Sequence, residues 1–256
     1  MFPFRKILAA IPSGDTPPGF LQYCEMISAL AQGARIDFVQ VRTDGVAADP
    51  PDLLPESRRH FLQGPVLDSL LTFATARSAD VILTSQTKAG SRRTMARRLA
   101  MKAACGVWMV PGSAPARLNR VIAGIDFSPG SLVALETARA LSPGSCTVLH
   151  VSEDRPSRQL AELAETAGAS SIRWESGDIA GKINEVARSE SADLIVMGDR
   201  GATQAGAILL GGEAERILLS SETPVLIVKH RPRGLSFLNA LLEGHTESRQ
   251  PISSAF

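Results

Sequence analysis

The sequence has almost no net charge to offer a partner. Lys and Arg number 27 against 26 Asp and Glu, a formal balance of +1. That leaves no electrostatic case for nucleic acid or for an anionic membrane. Cysteine is scarce too: Cys24, Cys105 and Cys146 stand far apart, are odd in number, and form neither a CxxC pair nor a metal-ligand spacing. A disulfide framework and a zinc site are excluded, and the three read as reduced packing residues of a cytosolic protein. Long apolar runs are also missing. Ile7–Ile11, which follows Arg5 and Lys6, is too short for the core of a secretion signal. No segment approaches the roughly 20 apolar residues that cross a bilayer. The expectation is a soluble, cytoplasmic chain. What the sequence does have is 44% apolar residues over a length of 256. That suffices for a sizeable core, in one large domain or two ordinary ones.

Internal similarity decides between those two. Arg5-Lys6-Ile7-Leu8-Ala9-Ala10-Ile11 resembles Asn119-Arg120-Val121-Ile122-Ala123-Gly124-Ile125 at an offset of 114. Ala79-Asp80-Val81-Ile82-Leu83 resembles Ala192-Asp193-Leu194-Ile195-Val196 at 113, and Gly106–Val110 resembles Pro224–Val228 at 118. Three pairs in the same order at nearly constant spacing indicate a duplication rather than a chance likeness of short apolar strands.

In the second copy, strands are expected at Arg120–Ile125, Cys146–Val151, Ser170–Glu175, Leu194–Gly198 and Val225–Lys229. Amphipathic stretches alternate with them at Ser131–Leu141, Ser157–Ala167 and Ile179–Ser189. The first, fourth and fifth strands are almost continuously apolar, as strands covered on both faces must be. Strand alternating with helix gives βαβ units and a parallel, doubly wound sheet. The first copy is eroded. Strands remain near Lys6–Ile11, Arg35–Val41, Val81–Ser85 and Val107–Val110, with helices at Phe20–Gln32 and Leu67–Arg77. Three prolines within Asp49–Pro55 exclude a regular helix there. The organisation expected is an α/β chain of two tandem doubly wound, five-stranded, Rossmann-like units. The first occupies residues 1–111, a linker 112–118, the second unit 119–230, and a tail 231–256. In that tail Leu235, Leu238, Leu241 and Leu242 form one apolar stripe before a polar end.

The chemistry concentrates after the fourth strand of the second copy, in Met197-Gly198-Asp199-Arg200-Gly201 and, nine residues on, Gly211-Gly212-Glu213. The loop leaves a strand and opens a helix beyond the carboxyl ends of the strands, where open α/β sheets bind ligands. A phosphate there needs backbone N–H groups in a concave nest, close approach without a Cβ, and the positive end of a helix dipole. Gly198 and Gly201 would shape the first turn, and Gly211 and Gly212 would present N–H groups at the helix start. A glycine cluster can also be no more than a flexible turn.

Gly198-x2-Gly201-x9-Gly211 resembles the GxxG-x9-G(S/T) signature of ATP-binding universal stress proteins (the UspA-like family). The segments Ala192–Gly198, Pro224–Val228, Ile125–Ser128 and Leu149–Val151 resemble that family as well. The likeness covers most of Arg120–Lys229 and, more weakly, residues 5–111. It implies a tandem member in which the fifth strands pair between two units, here the two halves of one chain, or two chains of a homodimer. It also implies ATP as ligand, with Mg only alongside ATP. Asp126 and Val151 would lie against adenine and ribose, and Met197 and Gly198 would continue that wall. Gly201, Gly211 and the Gly212 N–H would reach the phosphates, with Arg200 beside them. The sequence departs from the signature at its last position: Gly212 offers no hydroxyl. Glu213 then follows, a charge that repels a triphosphate unless Arg200 or a cation offsets it.

In the first copy the loop is five residues shorter, and Ser85 and Lys88 stand where Gly198 and Gly201 are, so no equivalent nest is expected. Other candidates are weaker. Arg92, Arg93, Arg97, Arg98 and Lys102 form a basic helical cluster without interleaved aromatics, which reads as a solvated face. His150 lacks any partner motif for base catalysis, Asp178 reads as a helix cap, and Asp193, matched by Asp80, reads as structural. Three readings stay open. One is a stress-response module that binds an adenine nucleotide through its second copy. Another is a scaffold or regulatory protein without nucleotide, acting by dimerisation and partner contacts. The last is a slow nucleotide hydrolase. The glycine spacing favours the first, Gly212-Glu213 speaks for the second, and the lack of a convincing base or metal cluster weighs against an enzyme.

Overall fold

The computed structural model describes residues 2–12, 16–42, 58–86, 94–154, 162, 165, 166, 169–200 and 210–229. In the first half the elements run β1 (Lys6–Ile11), α1 (Pro18–Leu30), β2 (Arg35–Arg42), β3 (Arg59–Gln63), α2 (Val66–Arg77), β4 (Val81–Gln86), α3 (Met95–Lys102) and β5 (Gly106–Pro111). In the second they run β6 (Val121–Gly124), α4 (Pro129–Leu141), β7 (Cys146–Val151), β8 (Ser171–Glu175), α5 (Ile179–Ser189), β9 (Leu194–Gly198), α6 (Gly212–Ser220) and β10 (Val225–Val228). α1 and α4 begin two residues earlier than apolar periodicity suggests, at Pro18 and Pro129. A proline fits the first turn because the N–H it lacks has no partner there anyway. The Ser157–Ala167 helix, the proline stretch at 49–55, Lys88 and the leucine tail fall outside the described residues, apart from a few isolated positions.

The strands form one ten-stranded sheet in the order β3-β2-β1-β4-β5-β10-β9-β6-β7-β8. Each half is parallel and carries the same doubly wound order, so the expected two five-stranded sheets are present as two halves of one. They join where β5 and β10 pair antiparallel, with Val225 opposite Met109 and Ile227 opposite Val107. Every residue of both joining strands is buried. A seam of this kind covers two apolar edges that would otherwise be exposed. Hydrophobic clusters lie on both faces and run across the join. One takes α1 and α4, with Trp108 packed edge-on to Tyr23 at 5.9 Å. The other takes α2, α3, α5 and α6.

The duplication reaches a structural detail. The Asp80 carboxylate accepts the N–H groups of Arg5 and Lys6 at 2.8 and 2.9 Å, tying β4 to the start of β1. The Asp193 carboxylate accepts those of Asn119 and Arg120 at 2.8 and 3.0 Å, tying β9 to the start of β6, and Arg117 closes on it from outside.

The first half keeps a fifth strand that its sequence does not announce. β3 pairs parallel with β2 from Phe38–Arg59 to Arg42–Gln63. Its Arg-His-Phe-Leu-Gln composition lacks the continuous apolar run of the central strands because it lies at the sheet edge, half exposed. His60 anchors it by reaching the buried Asp37 carboxylate on β2 at 3.1 Å. Burial works to raise the pKa of Asp37, but hydrogen bonds from Arg35 and His60 outweigh it and hold the carboxyl below its usual range. The three cysteines are free and buried, as packing residues should be. Burial pushes the Cys146 thiol up to about 11 and that of Cys24 higher still. No helix among the described residues is long and apolar enough to cross a membrane.

Candidate functional site

A cavity of about 310 Å³ opens beyond the carboxyl ends of β6, β7 and β9, at the point where the strand order of the second half reverses. Its size is at the low end of small-molecule sites. Seven of the residues singled out by the loop and its resemblance are on its wall: Asp126, Val151, Met197, Gly198, Arg200, Gly211 and Gly212. Gly201 lies outside the described residues. Glu213, expected beside the phosphates, is on the wall as well, while most of the remaining wall residues were not singled out by the sequence. Leu149, Ile179 and Ile183 add apolar surface from β7 and α5, while Gly124, Ile125 and Ser131 come from β6 and α4.

Asp126 reaches the cavity through a sharp turn. Phe127 holds a left-handed conformation at φ 61°, which carries a cost for a bulky residue. The turn is fixed because the Asp126 carboxylate accepts the Ser128 N–H at 3.0 Å and its hydroxyl as well. Ser128 then caps α4, accepting from the Ser131 N–H. His150 stays out of the chemistry: its Nδ1 lies 2.7 Å from the Ile125 carbonyl oxygen, and its ring packs on Phe127. Its neighbour Val151 is the one that faces the cavity.

Two glycines do different work from what their spacing suggests. A Cβ on Gly198 would stand 2.6 Å from the Gly130 carbonyl carbon and 2.9 Å from the Ser131 nitrogen. The close approach of α4 therefore requires a glycine at this position. Gly198→Ala is expected to cost about 1–3 kcal/mol of stability, the usual range for overpacking, read as a shifted midpoint in urea unfolding. Gly211 does not hold its N–H ready for a ligand. It donates at 2.8 Å to the Asp199 carbonyl oxygen, pinning the two ends of the loop together. Gly124, which the sequence offers only as part of a repeated strand, makes room for Met197, whose sulfur would lie 2.3 Å from a Cβ there.

The anion-seeking part is the start of α6. Its cap residue Gly211 supplies no side-chain acceptor, and Gly212, Glu213 and Ala214 all line the cavity. First-turn N–H groups have no partner within their own helix and carry the positive end of its dipole. Around Gly212 the space is open, with nothing within 4 Å of an added Cβ.

The charges form two sets. Below the loop, the buried Asp199 carboxylate stands 3.5 Å from Lys229 and 3.6 Å from Arg200. Burial lowers the pKa of Lys229, and Asp199 works against that shift. The Lys229 ammonium also donates to the Ala100 carbonyl oxygen of α3, at 2.5 Å, across the seam between the halves. At the mouth, Glu213 is met by Arg216, and Arg200 stands with Asp199 instead. Arg216 Nη1 is 3.1 Å from both Glu213 oxygens, and Nη2 is 2.7 Å from Asp178. The Arg216 guanidinium and the Gly181 N–H hold the Asp178 carboxyl below its usual range. Asp178 is the expected cap, accepting the Gly181 N–H at 2.8 Å at the start of α5. In the basic cluster, Arg97 pairs with Glu215 at 2.6 Å, joining α3 to α6. Arg98 and Lys102 are exposed, while Arg92 and Arg93 lie outside the described residues. Among the described residues no group of three or more His, Cys, Asp or Glu could hold a metal ion.

Fold and cavity together define a doubly wound α/β protein with a cavity at the switch point of its second half. Residues 158–229 match the Universal stress protein family. Two universal stress proteins of Methanocaldococcus jannaschii are 50% and 40% identical to the chain over 50 residues, which is 20% of this chain and 29% and 31% of theirs. The aligned part thus spans under a third of those relatives. Among solved structures, a universal stress protein of Archaeoglobus fulgidus superposes with a TM-score of 0.68 at 19% identity, covering 88% of this chain and 97% of its own. A functionally unknown protein of Pseudomonas aeruginosa superposes at 0.65 and 16% identity, covering 96% and 98%. The family match thus covers residues 158–229, and the whole-chain superpositions show a fold that fits two units of that type in tandem.

Proposed function

We propose that the chain is a stress-response regulatory protein of the cytoplasm that holds one adenine nucleotide, ATP or a relative of it, in its second half. The observation that carries this reading is the cavity at the start of α6. There three uncapped first-turn residues face a space walled by Val151, Leu149, Ile179 and Ile183. Such a site offers N–H groups and a helix dipole to a phosphate and an apolar wall to a base. Asp126, at the far end of β6, is suited to ribose hydroxyls. Magnesium would enter only with ATP. The role proposed is binding and regulation rather than catalysis, since among the described residues the cavity is lined by no histidine, cysteine or lysine.

The first half, with its shortened loop, is proposed to be empty and to serve as the second half's fixed partner across the β5–β10 seam. A non-nucleotide scaffold acting through partner contacts is the second reading, and Glu213 at the anion-seeking end is the observation in its favour. Mass spectrometry of small molecules released when the purified native protein is denatured separates the two. An adenine nucleotide is expected in the released fraction. A stoichiometric ligand of another chemical class would overturn the proposal.

A further inference from the structure

Among the described residues, the start of α6 has little capacity for an anion and carries a fixed negative charge. Of the N–H groups around the glycine pair, that of Gly211 is committed to the Asp199 carbonyl oxygen. Among the described residues this leaves the first turn of α6, Gly212 to Ala214, to meet a ligand, roughly what one phosphate group engages. Glu213 lies within that turn and lines the cavity. Its carboxylate cannot swing freely away, because Arg216 grips both oxygens at 3.1 Å while itself anchored to Asp178. The guanidinium that could have served a polyphosphate is thus shared between two carboxylates. Asp126 places a second carboxylate on the wall. Arg200 is the one cation among the cavity-lining residues described, and it stands 3.6 Å from the buried Asp199.

Resting on the nucleotide reading of this same cavity, we infer that Glu213 is a specificity residue: it makes the site select adenosine or an adenosine monophosphate over the di- and triphosphate. One phosphate can be satisfied by the first-turn N–H groups. Each further phosphate adds negative charge beside a carboxylate held in place, and among the described residues lining the cavity the one arginine, Arg200, already stands with Asp199. Because Glu213 is part exposed, the discrimination should weaken as salt rises.

The test is calorimetric titration of the full chain and of Glu213→Gln with adenosine, AMP, ADP and ATP at one low ionic strength without divalent metal. Glutamine keeps the size of the side chain, and Arg216 keeps Asp178, so the fold is undisturbed. The natural chain should bind AMP at least as tightly as ATP. Glu213→Gln should tighten ATP by about tenfold, the scale of one partly screened charge pair, and leave adenosine unchanged. Tighter binding of ATP than AMP by the natural chain would overturn the inference, as would an equal effect of Glu213→Gln on all four ligands. Either result leaves the nucleotide reading intact. Failure of all four to bind either protein would remove both.

Discussion

Asp193→Ala is expected to lower the unfolding free energy by about 3 kcal/mol or more. The carboxylate is almost wholly buried and accepts two backbone N–H groups, those of Asn119 and Arg120, at the entry to β6. Alanine removes the charged acceptor of two part-buried hydrogen bonds, and a bond to a charged group is worth about 1.5–3 kcal/mol. The Arg117 contact is lost with them. Asp80→Ala provides the comparison inside the same chain. Asp80 makes the same pair of bonds at the entry to β1, but in an exposed setting where water replaces the lost acceptor. Its loss should be about 1 kcal/mol, the net value of an ordinary hydrogen bond. Chemical denaturation of the two variants beside the natural chain measures the difference. Equal losses would mean that burial of the acceptor is not what sets the cost.

Gly211→Asp is expected to abolish ligand binding while leaving stability equal or slightly higher. Gly211 occupies the N-cap of α6 with φ −60° and ψ 142° and offers no side-chain acceptor. Aspartate is among the favoured caps, its oxygen accepting the N–H of the second or third helical residue. The variant would thus supply its own anion where the ligand's phosphate is proposed to sit, and would add a charge beside Glu213. Losing charge-assisted hydrogen bonds worth about 1.5–3 kcal/mol each corresponds to a loss in affinity of about a hundredfold or more. A variant that keeps its affinity would show that the ligand does not use the start of α6.

How much of this was legible in the sequence follows from where the residues sit. The duplication showed because β1, β4, β6 and β9 are buried on both faces and so carry continuous apolar runs. The paired Asp80 and Asp193 marked equivalent strand entries. β3 did not show because an edge strand needs neither a continuous apolar run nor a clean alternation. At the site, glycine spacing and family resemblance led to a loop of which Met197, Gly198, Arg200, Gly211, Gly212 and Glu213 line a cavity. Chemistry alone assigned Gly198 and Gly211 to phosphate, whereas packing against α4 and a loop-closing hydrogen bond claim them first. Ile179 and Ile183 read only as positions of an amphipathic stretch and Leu149 only as part of a strand, since their contribution depends on which elements meet. A signal for Gly124 did exist: it interrupts an apolar strand where the first copy has Ala10. The Asp178–Arg216–Glu213 chain was out of reach, because its members come together only when α5 packs beside α6.

The central claim is that one half of a duplicated chain keeps a nucleotide site and the other does not. Isothermal titration of the natural chain and Gly211→Asp with AMP tests it most directly. One site per chain in the natural protein and none in the variant is the predicted result. Two equivalent sites per chain, or undiminished binding by the variant, would contradict it.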